Sequence, residues 1–123
     1  MTRPRVYIEV WDKPPTACGP ELAALVRQAG GEPFMPTPGS KNYEVSWEEV
    51  LEFDPQVVLH AIPGHDPEAF MAVEGWNRTE AAVKKRVYSV EPKSLDLELL
   101  KILINKAYSE ISLEIPKDLK IIK

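Results

Sequence analysis

The order of elements along the chain predicts an α/β fold, a three-layer sandwich with a largely parallel sheet. Three stretches carry that reading. Arg5 to Trp11, RVYIEVW, alternates and is rich in β-branched and aromatic residues, as a strand should be. Val45 to Ile62, VSWEEVLEFDPQVVLHAI, reads as a short helix, a break and a strand apolar enough to be covered on both faces. Ser94 to Tyr108 sets Leu95, Leu99, Leu100, Leu103 and Ile104 along one side of a longer helix, with Ser94 as its cap.

The remaining elements fall between these three. Asp12 to Pro20 is rich in proline and is expected to be a loop. Pro20 suits the first position of a helix whose apolar side is Leu22, Ala23, Leu25, Val26 and Ala29, and Gly30-Gly31 ends it. Pro33 to Met35 is a short strand at best, and Pro36 to Tyr43 a polar loop. In the central stretch Ser46 and Glu49 have capping-box spacing, and Val50, Leu51 and Phe53 give the helix an apolar side. Asp54-Pro55 stops that helix, because proline drives the residue before it out of the helical region. Gln56 to Ile62 follows as strand, then Pro63 to Pro67 as a second turn-rich loop. Short helices are expected at Glu68 to Val73 and Thr79 to Lys85, a strand at Arg86 to Val90, and a strand or packed tail in Ile111 to Ile122.

Composition narrows the function classes. A chain of 123 residues predicts one domain, and 44% hydrophobic with 28% charged residues is ordinary for a globular protein. The formal net charge of −4 gives no general attraction to nucleic acid. No apolar run approaches the roughly 18 residues of a membrane span, and there is no signal-peptide pattern, so membrane insertion is not expected and the chain as written reads as soluble and cytoplasmic. The single cysteine, Cys18, excludes an internal disulfide and a cysteine zinc cluster.

Catalysis finds little support. Cys18 lies in a turn with no residue identifiable to activate it, and no glycine pattern matches a phosphate loop. Glu48 and Glu49 are adjacent on a helix and point apart, so they cannot act as an acid–base pair. His60 and His65 with Asp66 are the residues to weigh for a metal. Five residues separate the histidines, which is no recognised ligand spacing, so the favoured reading is a buried, hydrogen-bonded His60, an exposed His65 and no metal. No enzyme activity and no cofactor are expected. In an open α/β sheet the ligand crevice lies beyond the carboxyl ends of the strands. Three loops qualify: Trp11 to Gly19, Pro36 to Tyr43, and Pro63 to Pro67. They bring Trp, Lys, Asn, Tyr and His to one surface, which suits binding.

The segments RPRVYIEVW with KPPTACG, ELAALVRQAGGEPF, VSWEEVLEFDPQVVL and GWNRTEAAVKKRVYSV stand in an order and at spacings similar to a known family. The set resembles the C-terminal lobe of the helical-backbone class of substrate-binding proteins, the receptors of ABC importers for cobalamin, haem and siderophores. The cobalamin-binding branch looks closest. Its most specific piece is Val-Ser-x-Glu-x-Val-Leu-x-x-Asp-Pro-x-Val-Val, Val45 to Val58 here. The resemblance runs from about Arg3 to about Val90. It divides the chain into residues 1–91, similar to the lobe, and residues 92–123, a closing helix and a tail, of which ISLEIPKDLKIIK matches nothing in the family.

The family fold implies two α/β lobes with ligand between them, and this chain carries one. By position, Trp11, Lys13 and Pro14 match the first ligand-facing loop and Asn42 and Tyr43 an aromatic contact, while His65 is a candidate ligand residue from its place in the Pro63 to Pro67 loop. Glu48 matches an acidic residue that docks on arginines of the permease. A solvated glutamate in a first helical turn is an equal reading of Glu48, and edge packing an equal reading of Trp11. Trp76 is expected to be a packing residue. The resemblance implies a ligand-binding lobe for cobalamin, haem or a similar large metal chelate, from a periplasmic or membrane-anchored parent. The alternative is a stand-alone, engineered or chimeric α/β domain that binds nothing. A lone lobe also leaves its lobe–lobe face open, so a homodimer is expected.

Overall fold

A computed structural model describes residues 3–12, 14–36, 43–63, 68–109 and 120–121. The first strand, β1 (Arg5–Asp12), is the hub of the sheet. Parallel to it run β3 (Glu32–Pro33) on one side and β4 (Val57–His60) on the other, and β5 (Val87–Ser89) lies parallel beyond β4. Two antiparallel strands close the edges: β2 (Pro15–Ala17) against the end of β1, and β6 (Lys120–Ile121) against β5. The sheet is therefore largely parallel.

Alternation along the strands sends side chains to two separate cores. Val6, Ile8, Val57, Leu59 and Tyr88 face helix α1 (Pro20–Gln28) and helix α5 (Leu97–Ser109), meeting Val26, Leu100, Leu103 and Ile104. Tyr7, Val58 and Val87 face the other way, onto α2 (Trp47–Phe53), α3 (Glu68–Met71) and α4 (Glu80–Val83), with Phe34, Val50, Phe70, Trp76 and Ala81. Helices on both faces of a mostly parallel sheet make the expected three layers.

Local chemistry explains the boundaries. Pro20 opens α1, and Gly30 ends it with φ of 100°, a conformation that costs glycine little. Gly31 is needed for a different reason: a Cβ there would lie 2.9 Å from Ile104 Cδ1 and 3.0 Å from Val26 Cγ1. Ser46 caps α2 by accepting a hydrogen bond from the Glu48 amide, and Asp54 before Pro55 leaves the helix at φ 50°. That turn is tied down, since Asp54 Oδ1 accepts from the Glu80 amide and its carbonyl accepts from Arg5 Nε, both at 2.9 Å.

Two local expectations are corrected. The Asp12 to Pro20 loop contains β2, paired with β1 and bridged at Thr16 to Glu44. The last helix starts at Leu97 and not near Ser94, because Asp96 is its cap: Asp96 Oδ1 accepts from the Leu99 amide at 2.9 Å. Ser94 lies in a preceding 3₁₀ turn, Pro92–Ser94. Of the tail from Ile111 to Ile122, only residues 120–121 fall among those described, and they are strand.

Candidate functional site

The chain builds β1, crosses through α1 to β3 on one side, then through α2 to β4 on the other. The direction of winding reverses between β1 and β4. Helices leave opposite sides of the sheet at that point, and in open α/β sheets the space beyond the carboxyl ends of two such strands is where ligands bind.

Trp11 stands at this rim, 51% exposed, next to the end of β1. Pro14 is also exposed, and Tyr43 is half-buried with its ring edge near Gly19 at the start of α1. Backbone pairing joins these pieces. Trp11 pairs with Thr16 of β2, and β2 pairs with the segment after Tyr43 through Ala17 N–H to Tyr43 O at 2.8 Å and Val45 N–H to Pro15 O at 3.0 Å. Trp11, Pro14 and Tyr43 are thus carried on three neighbouring segments at one edge. Lys13, Asn42 and His65 lie outside the described residues. Glu48 is exposed on the first turn of α2, where the helix dipole favours a negative charge. Trp76 is buried and its indole N–H donates to Met71 O at 3.0 Å, the packing role expected of it.

Beneath the rim lies a buried polar group that the sequence reading did not assemble. Glu9 and His60 are register partners on β1 and β4, and Ser89 follows His60 on β5. All three are buried. The Tyr7 hydroxyl donates to Glu9 Oε1 at 2.7 Å, while Glu9 Oε2 has no hydrogen-bond partner among the described residues. His60 Nε2 lies 3.9 Å from that oxygen and 3.4 Å from Asp12 Oδ2. Phe70 packs against the imidazole with ring centroids 5.6 Å apart, so the group is roofed by aromatic side chains.

Asp12 reaches this group because of an irregularity in β1. The pairing with β2 slips between Glu9 and Trp11, leaving one extra residue in β1. Simple alternation would put Asp12 on the face opposite Glu9. A bulge of this kind re-aims the side chains after it. Burial pushes the Glu9 carboxyl up to about 8, the Tyr7 hydrogen bond opposes that rise, and the nearby Asp12 adds to it. Burial likewise pushes the Tyr7 hydroxyl and the Tyr88 hydroxyl up. Cys18 is buried and its thiol is raised to about 11, so at neutral pH it is no thiolate nucleophile.

Comparison with known proteins agrees with the fold. A family model described as periplasmic binding protein matches residues 7–93. A periplasmic heme-binding protein from Pseudomonas aeruginosa is similar with TM-score 0.68 at 19% identity, over 98% of this chain and 48% of that one. The periplasmic vitamin B12-binding protein BtuF of Vibrio cholerae is similar with TM-score 0.62 at 20% identity, over 88% and 46%. A TroA-like periplasmic binding protein, FepB, from Veillonella parvula gives TM-score 0.65 at 20% identity, over 91% and 42%. The chain spans about half the length of these solved structures, or less. No curated protein sequence matches it significantly.

Proposed function

The chain belongs to the periplasmic binding protein family, whose members are carriers and not enzymes, and on that premise we propose that it is a ligand-binding lobe of an ABC-importer receptor. Its crevice would take a large, flat, largely apolar metal chelate of the cobalamin or haem kind. The observation that carries this reading is the exposed indole of Trp11 at the switch point, on a strand joined through β2 to the segment that carries Tyr43. Exposed aromatic side chains of this size make good contact platforms for such ligands because they offer broad apolar area with few rotatable bonds. Lys13, Asn42 and His65 are proposed as the polar anchors, and Pro14 as a wall of the first loop. Glu48 is proposed to dock on arginines of the permease, where its exposure leaves the carboxylate available for a bidentate pair.

With one lobe of the cleft, binding is expected to be weak and saturable. Calorimetric titration with cobalamin and with haem, on the chain and on its Trp11→Ala variant, tests this. Saturable binding that drops at least about tenfold in the variant supports the reading, since a lost aromatic contact of this kind is worth about 1–3 kcal/mol. Absence of binding by both ligands, or binding that ignores Trp11, contradicts it. The same open face is proposed to self-associate, which light scattering across a concentration series would reveal.

A further inference from the structure

We propose that Glu9, Asp12 and His60 form a binding site for one divalent transition-metal ion, set in the floor of the crevice at the switch point between β1 and β4. The three residues place one donor atom each within 4.8 Å of one another. A tetrahedral ion with bonds of about 2.1 Å holds its donors about 3.4 Å apart. The observed separations from His60 Nε2, 3.4 Å to Asp12 Oδ2 and 3.9 Å to Glu9 Oε2, lie in that range without rearrangement of the backbone.

A second observation points to a ligand. Glu9 is fully buried, and its Oε2 is aimed into the cluster with no hydrogen-bond partner among the described residues. An unsatisfied carboxylate oxygen in a sheet interior is costly. A cation placed between the three donors satisfies it and lets Glu9 and Asp12 carry their charges together. The surroundings suit a metal site as well. Tyr7 fixes the other oxygen of Glu9, Phe70 packs against the His60 ring, and Asp12, its side chain 10% exposed, is the member of the three nearest to solvent.

The donor set selects the ion. One imidazole with two carboxylates suits zinc, manganese or ferrous iron, and argues against magnesium and calcium, which prefer all-oxygen shells. Three protein donors leave a coordination position open toward the crevice, for water or for an atom of whatever ligand sits there. The inference stands on the cluster and not on the identity of the crevice ligand, so either can fail without the other.

The test is titration of the chelator-treated chain with zinc chloride, followed by calorimetry and by thermal denaturation. One equivalent of zinc should bind saturably and raise the melting temperature. Asp12→Asn and His60→Gln should each weaken binding at least about tenfold, while Glu98→Gln, an exposed carboxylate on α5, leaves it unchanged. Asp12→Asn keeps the side-chain shape at the most accessible of the three positions, so with its fold checked by circular dichroism it decides the matter even where His60→Gln disturbs packing. Cobalt as a second probe should give a visible absorption band in the unaltered chain that His60→Gln abolishes. No saturable zinc binding, or binding that survives Asp12→Asn at full strength, overturns the proposal.

Discussion

The two faces of the sheet are built from the same strands and differ in every other respect. Toward α1 and α5 the strands send Val6, Ile8, Val57 and Leu59, and the helices answer with Val26, Leu100, Leu103 and Ile104. Toward α2, α3 and α4 they send Tyr7, Glu9, His60 and Ser89, under a run of edge-to-face aromatic contacts from Phe34 through Tyr7 and Trp47 to Phe70. On this second face both Glu9 Oε2 and Trp47 Nε1 lack hydrogen-bond partners among the described residues. The first face is mostly hydrocarbon; it includes Cys18 and Tyr88, whose hydroxyl has no hydrogen-bond partner among the described residues. A protein that needed only to fold would have no reason to place an acid, an imidazole and a hydroxyl in one row across three central strands. The aliphatic face supplies stability, and the polar face is where the proposed metal site lies.

The contrast can be broken from either side. The largest effect is expected from Leu103→Ala, which empties a fully buried position between α5 and the sheet. It should cost about 2–5 kcal/mol in urea denaturation and leave metal affinity unchanged. Next comes the pH dependence of the polar face, measured in chelator. The folded chain holds the Glu9 carboxyl at about 8 against an ordinary value of 4.5, so it keeps a proton that the unfolded chain has lost. Stability from this group is complete below pH 4.5 and is lost as the pH rises to 8, by an amount on the order of a few kcal/mol. Glu9→Gln should flatten that slope, and an unchanged slope would place its cause elsewhere. The smallest effect is expected at the rim. Trp11→Ala removes a half-exposed side chain and should shift stability by no more than about 0.5 kcal/mol, while ligand binding suffers.

The aliphatic face was legible in the sequence and the polar face was not, for physical reasons. Periodicity reports which residues turn toward a core, so β1, α1, α2, β4, β5 and the apolar side of α5 could be read directly, as could the Asp54-Pro55 stop. β2 was missed because Pro15–Ala17 carries no alternation of its own, and its pairing comes from β1 and from the segment after Tyr43. The start of α5 was misplaced because Ser94 and Asp96 are both good caps, and the 3₁₀ turn beginning at Pro92 occupies the first of them. The Glu9, Asp12 and His60 cluster joins residues 48 apart in the chain, Asp12 and His60, through a bulge that only strand pairing reveals. Glu9 falls on the Tyr7 side of an alternating strand, where an acid is ordinarily solvated, so periodicity gave no sign that it would be buried. Trp11, Pro14 and Tyr43 lie on neighbouring segments at one edge of the sheet, and motif order alone carries those loop positions, since the single residues carry no chemistry of their own.

The claim that binding belongs to one end of the sheet, between β1 and β4, is tested most directly by amide chemical-shift mapping during titration with haem or cobalamin. Shifts concentrated at Trp11, in β2, around Tyr43 and at the ends of β1 and β4, with α5 and the aliphatic face silent, are the expected result. Shifts centred on α1 and α5, or none at saturating ligand, would contradict the account.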